Sequence, residues 1–215
     1  MKKTILIVFL SFILLSCSSE QQNPYRGVYL LLDTSGTYTE ELKKAQQIIN
    51  YYLGTLTAGD SFAVARIDSG SFSEKDIIAK VTFDGRPSQM NAQKREFASA
   101  VNNFVESVES AQYTDISGGL LQAIEFLNET GAGQKYVLIY SDLREELPEG
   151  FKRDFDYELE GFQVFALNVT KLREDNIDPT IYMSRLSDWQ YKVESGGGLW
   201  HVVNDLDRTE ALALK

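Results

Sequence analysis

The sequence predicts a three-layer α/β fold, in which a doubly wound, mainly parallel β-sheet carries helices on both faces. Apolar runs of strand length alternate along the chain with segments whose apolar residues recur at helical spacing. The runs are nearly continuous rather than alternating with polar residues, as expected for strands that helices cover on both sides. Such alternation favours a parallel sheet, because a crossover helix joins one strand to the next.

Six segments are predicted to be strands, because they are rich in aliphatic and aromatic residues and end at polar or glycine-containing stretches. They are Val28–Leu32, Ser61–Ile67, Ile77–Phe83, Tyr136–Tyr140, Phe162–Val169 and Leu199–Val203. The third is the least regular and is expected at an edge of the sheet. Four segments with helical periodicity separate them: Glu40–Leu56, Met90–Val108, Ile116–Leu127 and Ile181–Glu194.

The N-terminal residues are predicted to lie outside this fold. Lys2 and Lys3 precede the apolar run Thr4–Leu15, which a small residue separates from Cys17. This layout is typical of a secretory signal. The apolar run is shorter than the roughly 20 residues that a membrane-spanning helix needs.

The four residues Leu14-Leu15-Ser16-Cys17 resemble the lipobox of bacterial lipoproteins. The resemblance implies that the signal peptide 1–16 is removed and that Cys17 carries lipid. Residues 17–25 would then form a flexible tether, and 26–215 a single domain. The protein would be exported and anchored to a bacterial membrane, on the periplasmic or surface side of the outer membrane if the cell has two.

Composition excludes several classes of function. The formal net charge of −10 argues against a nucleic-acid partner. The chain has one histidine, His201, and one cysteine, so a zinc site of the usual type and Ser-His-Asp or Cys-His catalysis are not expected.

Polar residues follow two predicted strands and precede one helix. The segment Asp33-Thr34-Ser35-Gly36-Thr37 follows the first strand, Asp142 follows the fourth, and Thr114 precedes the helix that begins near Ile116. Loops after parallel strands meet at one edge of the sheet, so the Asp33 loop and Asp142 are expected to lie close together. Carboxylate and hydroxyl oxygens are the ligands that hard cations prefer. Each residue has a simpler interpretation, because Asp, Ser and Thr, Asp115 included, also cap helix N-termini.

Taken together, these residues resemble the von Willebrand factor A (VWA) domain and its metal-ion-dependent adhesion site (MIDAS). Asp33, Ser35 and Thr37 match its Asp-x-Ser-x-Ser loop with Thr as the last residue, and Thr114 and Asp142 match its other two elements. The resemblance implies that Ser35, Thr37 and Thr114 bind Mg²⁺, or another divalent cation such as Ca²⁺ or Mn²⁺, directly. Asp33 and Asp142 would act mainly through water or by orienting the hydroxyls.

The resemblance also implies a function. Domains of this family mostly bind proteins and are not enzymes, and a carboxylate of the partner fills an open position on the ion. The expected protein is therefore a lipid-anchored, metal-dependent adhesion or assembly module. One departure from the family pattern is Leu143, which stands where glycine is common.

Two alternatives remain open. The Asp33 loop also resembles the Asp-x-Asp-x-Thr nucleophile loop of haloacid-dehalogenase-type phosphatases, with Asp33 as the nucleophile. Ser35 stands in place of the second Asp, so the general acid is missing at that position. The other alternative is a VWA-fold scaffold with a degenerate metal site.

Overall fold

The computed structural model describes residues 23–36, 41–68, 73–153, 156–206 and 213–214. Its six-stranded sheet has the order β3-β2-β1-β4-β5-β6. Neighbouring strands are parallel except β2 and β3, which pair antiparallel. The strands are β1 Arg26–Asp33, β2 Ser61–Ile67, β3 Ile77–Thr82, β4 Gln134–Tyr140, β5 Phe162–Leu167 and β6 Leu199–Val203. The predicted fold class is confirmed, and the weak third strand is indeed an edge strand.

Each predicted helix is present, with ends that differ by a few residues. The helices are α1 Leu42–Thr55, α2 Pro87–Ser107, α3 Ile116–Glu129 and α4 Pro179–Ser195. Single 3₁₀ turns occur at Glu74–Asp76 and Glu174–Asn176. Within the described residues, none of the helices combines the length and apolar character that crossing a membrane requires.

The core forms two layers, one on each face of the sheet, and β1 contributes to both. Successive side chains of a strand point to opposite faces. Val28, Leu30 and Leu32 therefore pack with the buried residues of α1 and α2, whereas Tyr29 and Leu31 pack with those of α3 and α4. This double burial explains why the β1 sequence is continuously apolar.

The chain reverses its direction across the sheet between β1 and β4, the two central strands. From β1 the chain continues outward to β2, and from β4 it continues to β5 on the other side. The crevice beyond the carboxyl ends of two such strands is where ligands bind in open α/β sheets. Asp33 is the last residue of β1, and Ser141 and Asp142 directly follow β4, whose Tyr140 pairs with Leu32.

At the amino ends of the strands, on the side of the sheet away from Asp33 and Asp142, the last residues of the predicted tether contact the folded domain. The Asn23 side chain donates to the carbonyl of Gly131, and the Tyr25 carbonyl accepts from the amides of Gly133 and Gln134. The signal segment 1–16, Cys17 and the tether up to residue 22 lie outside the described residues.

Candidate metal centre

Asp33 is fully buried at the end of β1, and both of its carboxylate oxygens accept hydrogen bonds. Oδ1 accepts from the Ser35 amide at 2.8 Å, and Oδ2 accepts from the Ser141 hydroxyl at 2.6 Å. Burial raises the pKa of Asp33, while the hydrogen bonds from Ser141 and Ser35 lower it and the negative charge of Glu146 raises it further. None of these donors carries a charge, so the buried carboxylate is hydrogen-bonded but its charge is not balanced.

The residues after Asp33 are held in place by backbone contacts. The buried Thr34 donates through its hydroxyl to the carbonyl of Ile67 at 2.8 Å, and its own carbonyl accepts from the Ala111 amide at 2.8 Å. Ser35 forms an isolated bridge with Ala111, and Gly36 adopts a φ of +27°, where a residue without Cβ is favoured. Thr37 lies outside the described residues.

Either Thr114 or Asp115 could cap the N-terminus of α3, and the hydrogen bonds show which of them does. Asp115 caps the helix, because its Oδ1 accepts from the Gly118 amide at 2.7 Å. Thr114 has a different role: its amide and carbonyl pair with the carbonyl and amide of Glu146 at 2.7 and 3.0 Å. Among the described residues, no hydrogen bond involves the Thr114 hydroxyl.

Asp142 is also buried, in the loop that follows β4. Its Oδ1 accepts from the Arg144 amide at 2.8 Å, and its carbonyl accepts from Arg185 Nε at 3.1 Å. Burial raises the pKa of Asp142 to about 6; the negative charge of Asp33 adds to the increase, and the Arg144 amide, Arg185 and the Arg144 charge oppose it.

Leu143, which stands where glycine is common in the resembled family, has a φ of +66°. That backbone region favours glycine and is strained for other residues by about 1–3 kcal/mol. Surrounding contacts hold it: its amide donates to the Ser141 hydroxyl at 3.0 Å, and its carbonyl accepts from Trp189 Nε1 at 3.1 Å.

Three of the five predicted metal-binding residues line one cavity of about 320 Å³: Ser35, Thr114 and Asp142. Arg144 and Glu146 also line it. Asp33 does not line this cavity, but its carboxylate accepts from the amide of Ser35. No cluster of three or more His, Cys, Asp or Glu side chains suited to a metal occurs in the described part of the chain. An ion at this position would therefore depend on hydroxyl oxygens together with two carboxylates.

Within the described residues, Asp33 and Asp142 differ from the other buried aspartates in that no positively charged side chain bonds to them. Four of the six that are described bond to an arginine: Asp60 to Arg26 at 2.6 Å, Asp76 to Arg66 at 3.2 Å, Asp115 to Arg153 at 2.7 Å and Asp175 to Arg185 at 2.8 Å. In the part of the chain that the structure describes, no lysine or arginine side chain bonds to the carboxylate of Asp33 or Asp142. Because a buried unpaired charge is costly, these two positions fit a cation.

Two residues of the site were not predicted from the sequence. Ser141 bonds to Asp33, and Glu146 pairs with the backbone of Thr114. Ser141 directly precedes Asp142 at the end of a predicted strand, so its presence in the site could have been predicted from that position. The role of Glu146 arises from a backbone bridge between distant segments, which no local pattern indicates.

No family model matches this chain, and no curated protein matches it either. Several solved structures do resemble it. The pilus adhesin SpaC from Lactobacillus rhamnosus GG matches over 90% of this chain and 29% of its own, with 15% identity and a TM-score of 0.52. A von Willebrand factor type A protein from Catenulispora acidiphila matches over 86% and 40%, with 11% identity and a TM-score of 0.49. Manganese-loaded TRAP from Plasmodium vivax matches over 57% and 48%, with 20% identity and a TM-score of 0.42.

The chain spans less than half the length of each of these three structures. At these identities, the likeness to the pilus adhesin demonstrates a shared fold and nothing finer. It agrees with the three-layer α/β architecture described above.

Proposed function

We propose that this protein is a divalent-metal-dependent protein-binding module, held at the cell envelope by lipid on Cys17. One observation carries the proposal: among the buried aspartates that the structure describes, Asp33 and Asp142 bond to no lysine or arginine side chain. Asp142 lines one cavity together with Ser35 and Thr114, and Asp33 accepts from the amide of Ser35. A cation there would offset the repulsion between the two carboxylates, which raises the pKa of Asp142.

The donor set fits Mg²⁺ or a similar hard cation. Ser35, Thr114 and, by the resemblance, Thr37 would bind the ion through neutral hydroxyls, while Asp33 and Asp142 orient them and balance the charge. A bound divalent ion would supply an open coordination position for a carboxylate of the partner. The protein's own residues bind and orient; none of them has to transfer a proton.

An adhesion role also agrees with the fold, which the chain shares with a pilus adhesin. The predicted partner is another protein that presents an acidic residue to the ion. The net charge of −10 disfavours nucleic acid. The phosphatase alternative requires Asp33 to attack a substrate, yet Asp33 is fully buried, lies outside the cavity lining and uses both carboxylate oxygens as hydrogen-bond acceptors.

Calorimetric titration with MgCl₂ tests the metal site. We expect the wild type to bind one ion and Ser35→Ala to lose that binding. Ser187→Ala is the matched control, because Ser187 is exposed and its hydroxyl bonds to the carbonyl of Ser184 within α4. Equal binding by wild type and Ser35→Ala, or no binding by either, would favour the degenerate scaffold instead.

Two further experiments address the partner and the anchor. Affinity capture from a cell-envelope extract, with and without chelator, should recover a partner only when divalent ions are present. Cys17→Ser should move the protein from the membrane fraction to the soluble fraction; continued membrane association would contradict the lipid anchor.

A further inference from the structure

The strand β6 forms one edge of the sheet and lacks the features that protect the other edge. Natural edge strands are usually kept from pairing with another chain by charged residues, proline or a β-bulge. At the opposite edge, β3 carries Lys80, and its pairing with β2 has a register shift between Val64 and Ala65. The segment Leu199–Val203 of β6 contains no aspartate, glutamate, lysine, arginine or proline, and its pairing with β5 is regular.

Two apolar side chains of β6 are exposed, Leu199 by 59% and Val202 by 41%. In the described part of the chain, no strand pairs with β6 on the side away from β5. His201 stacks on Phe165, with the ring centres 4.5 Å apart, and its buried Nε2 has no hydrogen-bond partner among the described residues. The edge therefore combines exposed apolar surface with an unsatisfied polar atom.

Backbone hydrogen bonds show which groups of β6 point out of the sheet. The Val203 carbonyl accepts from the amide of Asn168, which follows β5, at 3.0 Å. The N–H and C=O groups of one strand residue lie on the same side, and those of the next residue lie on the other. The groups of His201 and Val203 therefore point towards β5. Those of Trp200 and Val202 point outward and can bond to another strand.

These outward groups are complementary to those of a second, identical strand. When two β6 strands run antiparallel about a twofold axis at His201, Trp200 of each copy lies opposite Val202 of the other. Each outward N–H then meets an outward carbonyl, and His201 lies opposite its own counterpart in a non-hydrogen-bonded pair. An aromatic residue opposite a β-branched one is a favourable cross-strand pair.

The charge distribution also favours a second copy at this edge. The chain has a net charge of −10, so two copies repel each other over much of their surface. Residues 198–204 include no acidic or basic side chain other than His201. In the antiparallel register, Asp205 lies opposite Gly197 of the other copy rather than opposite a carboxylate. Two acidic molecules can therefore approach each other along β6.

We propose that β6 is the interaction surface for a second copy of this chain, paired antiparallel with His201 on the twofold axis. The pair joins two six-stranded sheets into one continuous sheet. Because the strands of the two copies run in opposite directions, the two candidate metal centres face away from each other. The pairing requires no ion, and the proposed function does not depend on it.

Disulfide cross-linking of the whole chain tests the register. Cys17 is the only cysteine, so in a Cys17→Ser background an introduced cysteine reports on one position. The Cα atoms of a non-hydrogen-bonded antiparallel pair are about 4.5 Å apart, within the range that a disulfide spans. We expect His201→Cys to give a disulfide-linked dimer with oxidised glutathione in the presence of EDTA.

Leu199→Cys is the matched control. In the proposed register Leu199 lies opposite Val203 of the other copy and roughly 14 Å from its own counterpart, too far for a disulfide. Random collisions would favour Leu199→Cys, because Leu199 is more exposed than His201. We nevertheless expect about tenfold less dimer from it than from His201→Cys. Efficient cross-linking of Leu199→Cys would indicate a different register and overturn the proposal.

Two changes at the edge, each added to the His201→Cys chain, test whether strand pairing causes the cross-link. Val202→Pro removes an N–H that points away from β5, so the bonds within the sheet remain. Val202→Lys introduces the kind of charge that protects natural edges. Each should lower the yield of dimer about tenfold. Ile177→Lys, at an apolar residue before α4 that is 85% exposed, should leave the yield unchanged.

Sedimentation equilibrium of the Cys17→Ser chain with an unaltered β6 provides a second measurement if His201→Cys does not fold. Its apparent mass should rise with concentration towards that of a dimer, and Val202→Lys should keep the mass of one chain. A chain that stays monomeric up to about 1 mM, or a folded His201→Cys that forms no dimer, would overturn the proposal. Failure of the MgCl₂ titration would contradict only the proposed function, because EDTA is present during cross-linking.

Discussion

The two ends of the central sheet each bury an aspartate, and the environments of these residues are opposite. At the amino end of the strands, Asp60 accepts from the Arg26 guanidinium at 2.6 Å and from the Arg26 amide at 2.9 Å. At the carboxyl end, the groups in the described residues that donate to Asp33 are the neutral amide of Ser35 and the neutral hydroxyl of Ser141. The pKa of Asp60 is lowered, since its hydrogen bonds and the charge of Arg26 outweigh burial, whereas burial raises the pKa of Asp33.

The two aspartates differ in whether charged and neutral partners within the protein satisfy them completely. Asp60 has a complete set of partners, because Thr57 adds two further hydrogen bonds, and it joins the start of β1 to the loop before β2. Asp33 and Asp142 have enough hydrogen bonds to be oriented, but in the described part of the chain no lysine or arginine side chain bonds to either carboxylate. Under the proposed function, a bound cation would complete their interactions.

The largest difference in stability is expected between variants in which Asp60 or Asp33 is replaced by asparagine. Asp60→Asn leaves Arg26 without its ion partner and should lower the free energy of unfolding by about 3 kcal/mol. Asp33→Asn removes an unbalanced buried charge; the amide oxygen can accept from the Ser35 amide, and the amide nitrogen can donate to the Ser141 hydroxyl in place of the bond that this hydroxyl donates in the wild type. Stability should therefore stay the same or rise by up to about 1 kcal/mol. Urea denaturation at pH 7 with EDTA measures both, and a large loss in Asp33→Asn would contradict the distinction.

The pH dependence of stability should have opposite signs at the two ends. A carboxyl whose pKa is raised in the folded state stabilises the fold more when it is protonated than when it is ionised. For Asp142, whose folded-state pKa is about 6, the free energy of unfolding is therefore lowered as pH rises through that value. Without metal, Asp142→Asn should match the wild type below about pH 4 and exceed its stability by about 2 kcal/mol at pH 8.

Asp60→Asn should behave in the reverse way. The lowered pKa of Asp60 contributes stability above the unfolded value of about 4, and this contribution is lost as pH falls through the folded value. The variant should therefore approach the wild type only in acid. Addition of MgCl₂ should remove the high-pH advantage of Asp142→Asn, because the ion favours the ionised carboxyl of the wild type. If the stabilities of Asp142→Asn and Asp60→Asn, relative to the wild type, changed with pH in the same direction, the proposed difference between the two ends would be wrong.

Removing the hydroxyl donor from each carboxylate should have a smaller effect. Ser141→Ala deletes a fully buried hydroxyl that bonds to Asp33 and to the Leu143 amide, and it should cost about 1–2 kcal/mol and weaken Mg²⁺ binding about tenfold. Thr57→Val removes the Asp60 contact at 3.1 Å and should cost about 0.5 kcal/mol, because Asp60 keeps Arg26. Thermal denaturation and titration calorimetry measure the two effects, and the reverse order would be inconsistent with the proposed support of Asp33.

The smallest change in the free energy of unfolding is expected for a residue at the rim of the candidate metal centre. Glu146→Gln breaks a half-exposed ion pair with Arg144 and should alter the free energy of unfolding by less than about 0.5 kcal/mol. Its charge nevertheless acts on Asp33, so Mg²⁺ affinity should fall about threefold. Glu74→Gln, which breaks the exposed pair with Lys80, is the control and should leave Mg²⁺ affinity unchanged.

The order of strands and helices could be predicted from the sequence because those signals are local. The continuous apolar run of β1 and the helical spacing of α1 depend on neighbours a few residues away. The placement of Asp33 and Asp142 at one end of the sheet also followed, since parallel strands bring their carboxyl ends together, whereas the placement of Thr114 beside them rested on the resemblance. Thr37 and Cys17 remain predictions that rest on resemblance.

Pairing between distant residues could not be predicted in this way. Asp33 and Asp60 look alike in the sequence, and so do Thr114 and Asp115 as helix caps. Asp60 meets Arg26 from 34 residues away, whereas Asp33 meets Ser141 from 108 residues away.

The layers of this protein, and the end of the sheet where polar residues gather, can therefore be read from the amino-acid sequence alone. Which buried carboxylates bond to an arginine and which do not becomes visible only in the folded structure. The physical reason is that periodicity is a property of one segment, whereas charge balance inside a protein depends on which segments the fold brings into contact.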